Sequence, residues 1–123
     1  MTPKREATAE RAMQTRRFDT KDRILMLRAA IGVLQDLGYT IEESQDGFGM
    51  IVASRLAGAR IRAQIVVRAV PDAHAITVRA NFQRVGLAAG ANLALGETIA
   101  EPEIYRGFFD KLAQSAFLTA HDI

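Results

Sequence analysis

The sequence predicts an α+β domain in which an antiparallel sheet of five or six strands carries two helices on one face. Two consecutive segments, 59–68 and 76–83, alternate apolar with polar residues, so one face of the sheet is buried and the other is wet. Two other segments, 21–37 and 101–118, carry apolar residues at three- and four-residue steps, which is typical of amphipathic helices. Such a sheet needs a cover on its apolar face, and these helices can supply it.

The chain begins with a polar segment and continues as one domain. Residues 1–12 lack an apolar stripe, and we predict that they form a flexible N-terminal tether. The domain then spans residues 13–120, a common size for a single folding unit. Within it, residues 13–18 are predicted to form a short first strand.

The first helix is predicted to begin after an N-cap at Asp19 or Thr20 and to end at Gly38, which suits the C′ position. Its apolar stripe is expected to consist of Ile24, Leu27, Ile31 and Leu34, widened by Ala30 and Leu37. Because these positions recur every three or four residues, they should face the sheet.

Five more strands should follow this helix, joined by connections of hairpin length that favour antiparallel pairing. The predicted strands cover residues 39–44, 48–54, 59–68, 76–88 and 93–99. The predicted turns between the first four lie at 45–47, 56–58 and 71–73. The last helix begins at Pro102, and its expected apolar face consists of Ile104, Tyr105, Phe108, Phe109, Leu112 and Ala116. The predicted order is therefore β-α-β-β-β-β-β-α.

The amino-acid composition excludes several kinds of crosslink, site and membrane segment. Of the 123 residues 49% are hydrophobic, so a core can form without crosslinks, and the formal net charge is only +2. There is no cysteine, which excludes disulfides, thiol catalysis and thiolate metal sites. No segment approaches the roughly 20 consecutive apolar residues of a membrane span, and no hydrophobic leader core follows Met1.

No catalytic or metal-binding pattern stands out in the chain. The two histidines, His74 and His121, lie beside a turn and near the C-terminus, without the partners that a triad or a metal site needs. The glycines are spaced too widely for a phosphate-binding fingerprint. We therefore predict that the protein is not an enzyme and binds neither a cofactor nor a metal.

The most specific candidate site is the solvent-exposed face of the predicted sheet. We expect Arg60, Arg62 and Arg68 to share this face with Arg79 on the neighbouring strand, and the polar residues between them are Gln64, Asn81 and Gln83. Three interpretations stay open: a solvated face, a docking surface for an acidic protein partner, or a phosphate-binding surface. Sheets that read nucleic acids usually interleave aromatic residues with the basic ones, and none is interleaved here.

Several segments together resemble a family of small bacterial lipoproteins. The segments are Met13–Thr20, Val33–Tyr39, Phe82–Val85, Pro102–Leu112 and the pair Phe117–Leu118. The helix that ends in Leu-Gly-Tyr before a hairpin is also similar in topology to the helix-grip domains of BamC, a lipoprotein of the outer-membrane β-barrel assembly machinery.

The resemblance implies a lipid-bearing cysteine ahead of the polar tether and a periplasmic domain anchored to the outer membrane. It leads us to expect a noncatalytic domain that binds another cell-envelope protein. A cytoplasmic protein that starts at Met1 is the alternative address. Two alternative functions remain: a small-ligand module with a cavity between the sheet and Tyr105, Phe108 and Phe109, and a nucleic-acid binder that uses the basic face.

Overall fold

A computed structural model describes residues 12–57, 59–87 and 94–121 of the chain. It has the predicted α+β architecture, with six strands in one antiparallel sheet. The elements in chain order are β1 (Thr15–Phe18), α1 (Arg23–Asp36), β2 (Thr40–Gln45), β3 (Met50–Ala57), β4 (Ala59–Ala69), β5 (Ile76–Leu87), β6 (Ala94–Thr98) and α2 (Pro102–His121). The predicted tether at 1–12 lies outside the described residues except for residue 12, which with 13 and 14 is helical.

The sheet is built around β4 and β5, its two longest strands. The strand order is β1-β5-β4-β3-β2, and β6 also pairs with β5. Because β4 occupies one edge of β5 along its length, β1 and β6 share the other edge, at residues 76–79 and 83–87. Among the residues that the structure describes, no strand therefore lies beside residues 80–82 of β5 on that edge.

Both helices pack on the same face of the sheet, here called the inner face. Its apolar side chains include Ile65, Val67, Val78 and Phe82, all buried as predicted, whereas Ile61 is only half-buried. Phe82 contacts the rings of Tyr39, Tyr105 and Phe108, with centroids 5.3–6.1 Å apart. These rings fill the space between the sheet and α2.

Helix α1 differs from the prediction in its start and in its buried stripe. Asp22, not Asp19 or Thr20, is the N-cap, since its carboxylate accepts a hydrogen bond from the Leu25 N–H. The buried residues of this helix are Met26, Leu27, Ala29, Ala30, Val33 and Leu34. Ile24 is exposed and Ile31 half-buried, so the face that meets the sheet is rotated from the predicted one. The helix ends before Gly38 as expected, at a positive φ of 92°.

Several strand boundaries also differ from the predictions. The first strand starts at Thr15 because the helical segment runs through Gln14. Residues Leu56 and Ala57 belong to β3 rather than to a turn, since Ala57 pairs directly with Ala59. Helix α2 continues past Phe117 and Leu118 to His121.

The turn between β2 and β3 covers residues 46–49 and depends on a glycine at its last position. Gly49 has a φ of 65°, and its carbonyl accepts a hydrogen bond from the Val67 N–H. A Cβ at this position would overlap the Val67 carbonyl oxygen. The turn is therefore held against β4, and a side chain is excluded at residue 49.

The gap between β1 and β6, beside residues 80–82 of β5, is closed by the hydroxyl of Tyr105. This residue is completely buried. The hydroxyl accepts a hydrogen bond from the Phe82 N–H at 3.3 Å and donates one to the Ile99 carbonyl at 2.7 Å. The Ile99 N–H in turn donates to the Phe82 carbonyl at 2.7 Å. The buried Gln14 amide also approaches the hydroxyl, at 3.5 Å. One side chain from α2 thus takes the place of the missing strand.

We expect Tyr105→Phe to lower the free energy of unfolding by about 1–3 kcal/mol, because it leaves the Phe82 N–H and the Ile99 carbonyl without that hydroxyl. Urea unfolding followed by circular dichroism measures this change. Amide hydrogen exchange should quicken at Phe82 more than at Ala63, which lies in the middle of β4. Unchanged stability and exchange would show that the hydroxyl does not support the edge.

We expect Phe82→Ala or Phe109→Ala to cost about 3–5 kcal/mol of unfolding free energy, because each ring is buried within an aromatic cluster. The matched control is Phe48→Ala, since the Phe48 ring is 76% exposed, and this change should stay within about 0.5 kcal/mol of wild type. Equal losses for Phe82 and Phe48 would contradict this packing.

Candidate functional site

The face of the sheet opposite the helices, here called the outer face, presents its side chains in rows across the strands. One row runs from Arg17 through Thr77 to Arg68, and the next from Thr15 through Arg79 and Val66 to Met50. A central row joins Asn81, Gln64 and Val52 to Glu43. The two remaining rows contain Gln83 beside Arg62 and Val85 beside Arg60, and each continues into β3, at Ser54 and Leu56.

All seven residues predicted for the site lie on the outer face. The exposed ones are Arg60, Arg62, Gln64, Arg68 and Arg79, as the alternation predicts. Asn81 is half-buried. Gln83 was expected to be exposed but is also half-buried; it lies between Arg62 on β4 and Thr98 on β6, and it accepts a hydrogen bond from the Arg62 guanidinium at 3.2 Å.

The arginines of the two faces differ in whether they have partners. On the inner face, Arg16 pairs with Asp110 at 3.1 Å and Arg84 with Glu101 at 3.3 Å, so both connect the sheet to α2 or its start. Arg55 donates to the Leu37 carbonyl at 2.7 Å and lies over the Tyr39 ring. On the outer face, by contrast, the side chains of Arg17, Arg60, Arg68 and Arg79 make no hydrogen bond or ion pair within the described residues.

The outer-face arginines form two groups. Arg17, Arg68 and Arg79 surround Thr77 at one end, and Arg60 and Arg62 lie at the other end of β4. Same-face residues on a strand are about 7 Å apart, so Arg62 and Arg68 are separated by about 20 Å. In the described rows the one acidic side chain is Glu43, which accepts a hydrogen bond from Gln45 instead of an arginine. The face is therefore positive at both ends, and the central row between them carries a single charge within the described residues, that of Glu43 at its β2 end.

Two concavities open near the group around Thr77. The larger is an open groove of about 820 Å³ at the end of the sheet, between the 46–49 turn and the end of β4. The smaller, of about 250 Å³, is lined by Gln64, Val66, Arg79 and Asn81. Val66 lines both, so the groove and the depression adjoin each other.

The sequence prediction missed Arg17 and the apolar members of the outer face. Arg17 follows from the alternation Arg16-Arg17-Phe18 once Phe18 is known to face inward, but the pairing of β1 with distant β5 is needed to place it. Phe48 was expected within a strand and instead lies in the turn at the mouth of the groove. Met50, Val52 and Val66 break the polar pattern of the face, and the strand register is needed to see that they are neighbours.

The described residues contain no cluster of three or more histidine, aspartate or glutamate side chains arranged to hold a metal ion. His74 is exposed beside the turn that joins β4 and β5, and the side chain of His121 lies outside the described ones. Of the helices that the structure describes, none has the length and apolar character needed to cross a membrane.

The chain matches no protein-family model and none of the curated protein sequences with which it was compared.

The surroundings of Tyr39 shift the pKa of its hydroxyl. Burial raises the pKa of its hydroxyl above the ordinary value of 10.0, and the charge and hydrogen bond of Arg55 offset part of that rise. Because the folded-state pKa is the higher one, this group stabilises the fold below the unfolded-state pKa, and the stabilisation is lost as the pH rises through the folded-state value.

We expect the stability of the wild type to fall more steeply above about pH 10 than that of Tyr39→Phe, which cannot ionise at this position. Urea unfolding at about pH 8 and about pH 11 measures the difference between the two proteins at each pH. A difference that is the same at both pH values would contradict the raised pKa.

Proposed function

We propose that this protein is a noncatalytic domain that binds another cell-envelope protein through the outer face of its sheet. The partner surface is acidic and contacts both arginine groups. The subcellular location that we propose is the periplasm. The protein is anchored there by a lipid on a cysteine ahead of the polar segment 1–12, as the resemblance to small bacterial lipoproteins implies.

The observation that carries this proposal is the absence of partners for four of the five outer-face arginines within the described residues. Each inner-face arginine, in contrast, has a carboxylate, a carbonyl or an aromatic ring beside it. Unpaired guanidinium groups on the sheet are available to carboxylates of a partner. Because the guanidinium fork is planar, little side-chain freedom is lost for each hydrogen bond that it forms. Exposed charges of this kind contribute mainly to the rate and specificity of association.

The composition of the face favours a protein over a nucleic acid. Its rows hold amides, hydroxyls and aliphatic side chains between the arginines, and no aromatic side chain lies in the described rows. Base-stacking platforms depend on such rings. The aromatic residues that would line a ligand cavity, Tyr105 and Phe108, instead pack against Phe82 at 5.3 and 5.6 Å.

The address has a simple test of its own. The coding sequence upstream of Thr2 should encode an export signal that ends in a cysteine, and the protein should fractionate with the outer membrane. A gene that starts at Met1 without such a signal would overturn the periplasmic location. The docking face would then be tested separately.

We expect the double variant Arg62→Gln, Arg79→Gln to bind the partner more weakly, through slower association, while its unfolding free energy changes by less than about 1 kcal/mol. A photo-crosslinking residue at Gln64, in the centre of the outer face, measures binding in native cells. The positional control is the same residue at Gln35, which is exposed on α1 on the opposite side of the molecule.

The charge-matched control is Arg28→Gln, Arg106→Gln, which removes two exposed arginines from the helices. The proposal predicts one acidic envelope protein crosslinked from residue 64 and not from residue 35, reduced by the outer-face variant and by added salt, and unaffected by the helix variant. Equal reduction by both double variants, crosslinking to lipid instead of protein, or no dependence on Arg62 and Arg79 would contradict it.

A further inference from the structure

The groove at the end of the sheet combines an apolar surface with two positive charges. Its apolar lining comes from Phe48, Met50, Val66 and Val67, and its charges from Arg23 and Arg68. None of its lining residues in the described part of the chain is acidic. At about 820 Å³ it lies within the range of roughly 300–1,000 Å³ that is usual for sites that bind compact groups.

The backbone of Phe48 is held in place, whereas its ring is exposed. Its N–H donates to the Gln45 carbonyl, and the next residue, Gly49, is hydrogen-bonded to Val67 of β4. The Arg23 guanidinium also donates to the Asp46 carbonyl and so ties the turn to the start of α1. Because the turn is already held at three points, covering this ring, which is 76% exposed, requires ordering of its side chain but little further ordering of the backbone.

Asn81, which lines the adjoining depression, has a buried polar atom without a partner among the described residues. Asn81 Oδ1 is buried and accepts no hydrogen bond from any described residue. A buried acceptor left in this state costs about 1–3 kcal/mol, which a donor from a bound molecule would recover. Arg79 lines the same depression, so a positive charge and an acceptor lie next to the apolar groove.

We infer that this groove is the anchoring pocket of the docking face: it receives one large apolar side chain of the partner, flanked by carboxylates that contact Arg68 and Arg79. Asn81 is only half-buried, and its amide turns on binding so that Oδ1, which is closed off in the free protein, meets a main-chain or side-chain donor next to that residue. The inference rests on the proposed function and adds to it the chemistry of the recognised segment, an acidic stretch interrupted by an aromatic or branched aliphatic residue. Charge complementarity selects the acidic flanks, and the exposed Phe48 beside Met50 and Val66 selects the apolar centre.

Two synthetic peptides serve as probes: a twelve-residue Asp/Glu/Ser peptide with a central Phe, and the same peptide with Ser in place of that Phe. Titration followed by amide chemical shifts measures both binding sites and affinities. We expect the Phe peptide to bind about tenfold more tightly, since burying the ring is worth on the order of 1.4 kcal/mol. Its largest shifts should fall on residues 47–50, 66–69 and 81.

The variants Phe48→Ser and Leu56→Ser separate the groove from general apolar exposure. Leu56 is 84% exposed on the same face but at the opposite end, so it is a matched control, and neither variant should alter the fold. Phe48→Ser should remove the preference for the Phe peptide, and Leu56→Ser should retain it. Asn81→Leu should weaken both peptides alike, because it removes the acceptor without touching the groove.

Equal affinity for the two peptides, equal effects of the two serine variants, or no binding of either peptide at low salt would overturn the inference. The proposed function fails on a different result, namely crosslinking from Gln64 that does not depend on Arg62 and Arg79. If crosslinking keeps its dependence on the arginines while the peptides bind equally, the face docks a partner without an apolar anchor.

Discussion

The hydroxyl of Tyr105 is the interaction on which the rest of the structure depends. It joins the interrupted edge of β5 to the segment that leads from β6 into α2, and it does so inside the core, where the lost hydrogen bonds could not be replaced by water. The ring below the hydroxyl packs edge-on against Phe82, so one residue satisfies the backbone and fills the interior. Strands β1 and β6 can share one edge of β5 because this side chain occupies the space between them.

In this arrangement both helices lie on the inner face, and none of the described helices covers the outer face. On the inner face, α2, its start and the end of α1 bring Asp110, Glu101 and the Leu37 carbonyl within reach of the arginines, although the two ion pairs stay partly exposed to water. No described helix lies over the outer face to supply such partners, and water solvates its guanidinium groups. The different pairing of the arginines on the two faces therefore follows from the one-sided packing of the helices.

The local patterns of the sequence predict most of the fold. The alternation in 59–68 and 76–83 assigns every arginine of β4, and Arg79, to the correct face, because side-chain direction along a strand is set by neighbouring residues only. The apolar spacing of α2 likewise identifies Tyr105, Phe108, Phe109, Leu112 and Ala116 as buried. These features require no knowledge of distant contacts.

The errors arise where distant contacts decide between similar local patterns. In α1, a stripe through Ile24 and one through Met26 are both compatible with the spacing, and packing against the sheet and α2 selects Met26. The role of the Tyr105 hydroxyl depends on a gap between two strands that are far apart in sequence. The groove likewise cannot be predicted from local patterns, because Phe48, Val66 and Arg68 come together only when the 46–49 turn is held on β4.

The irregular pairing of β2 has a consequence for how the molecule can assemble with others. The register shifts between Ile41 and Glu43, so the last strand on that side bulges at Glu42, and its exposed border carries carboxylates. At the opposite border β1 has four residues and β6 has five, too few to template a long ladder. The sheet thus resists extension by added strands at either side. Under the proposed function, recognition of a partner would accordingly rely on the identity of side chains, and it would be more sensitive to single substitutions than main-chain pairing is.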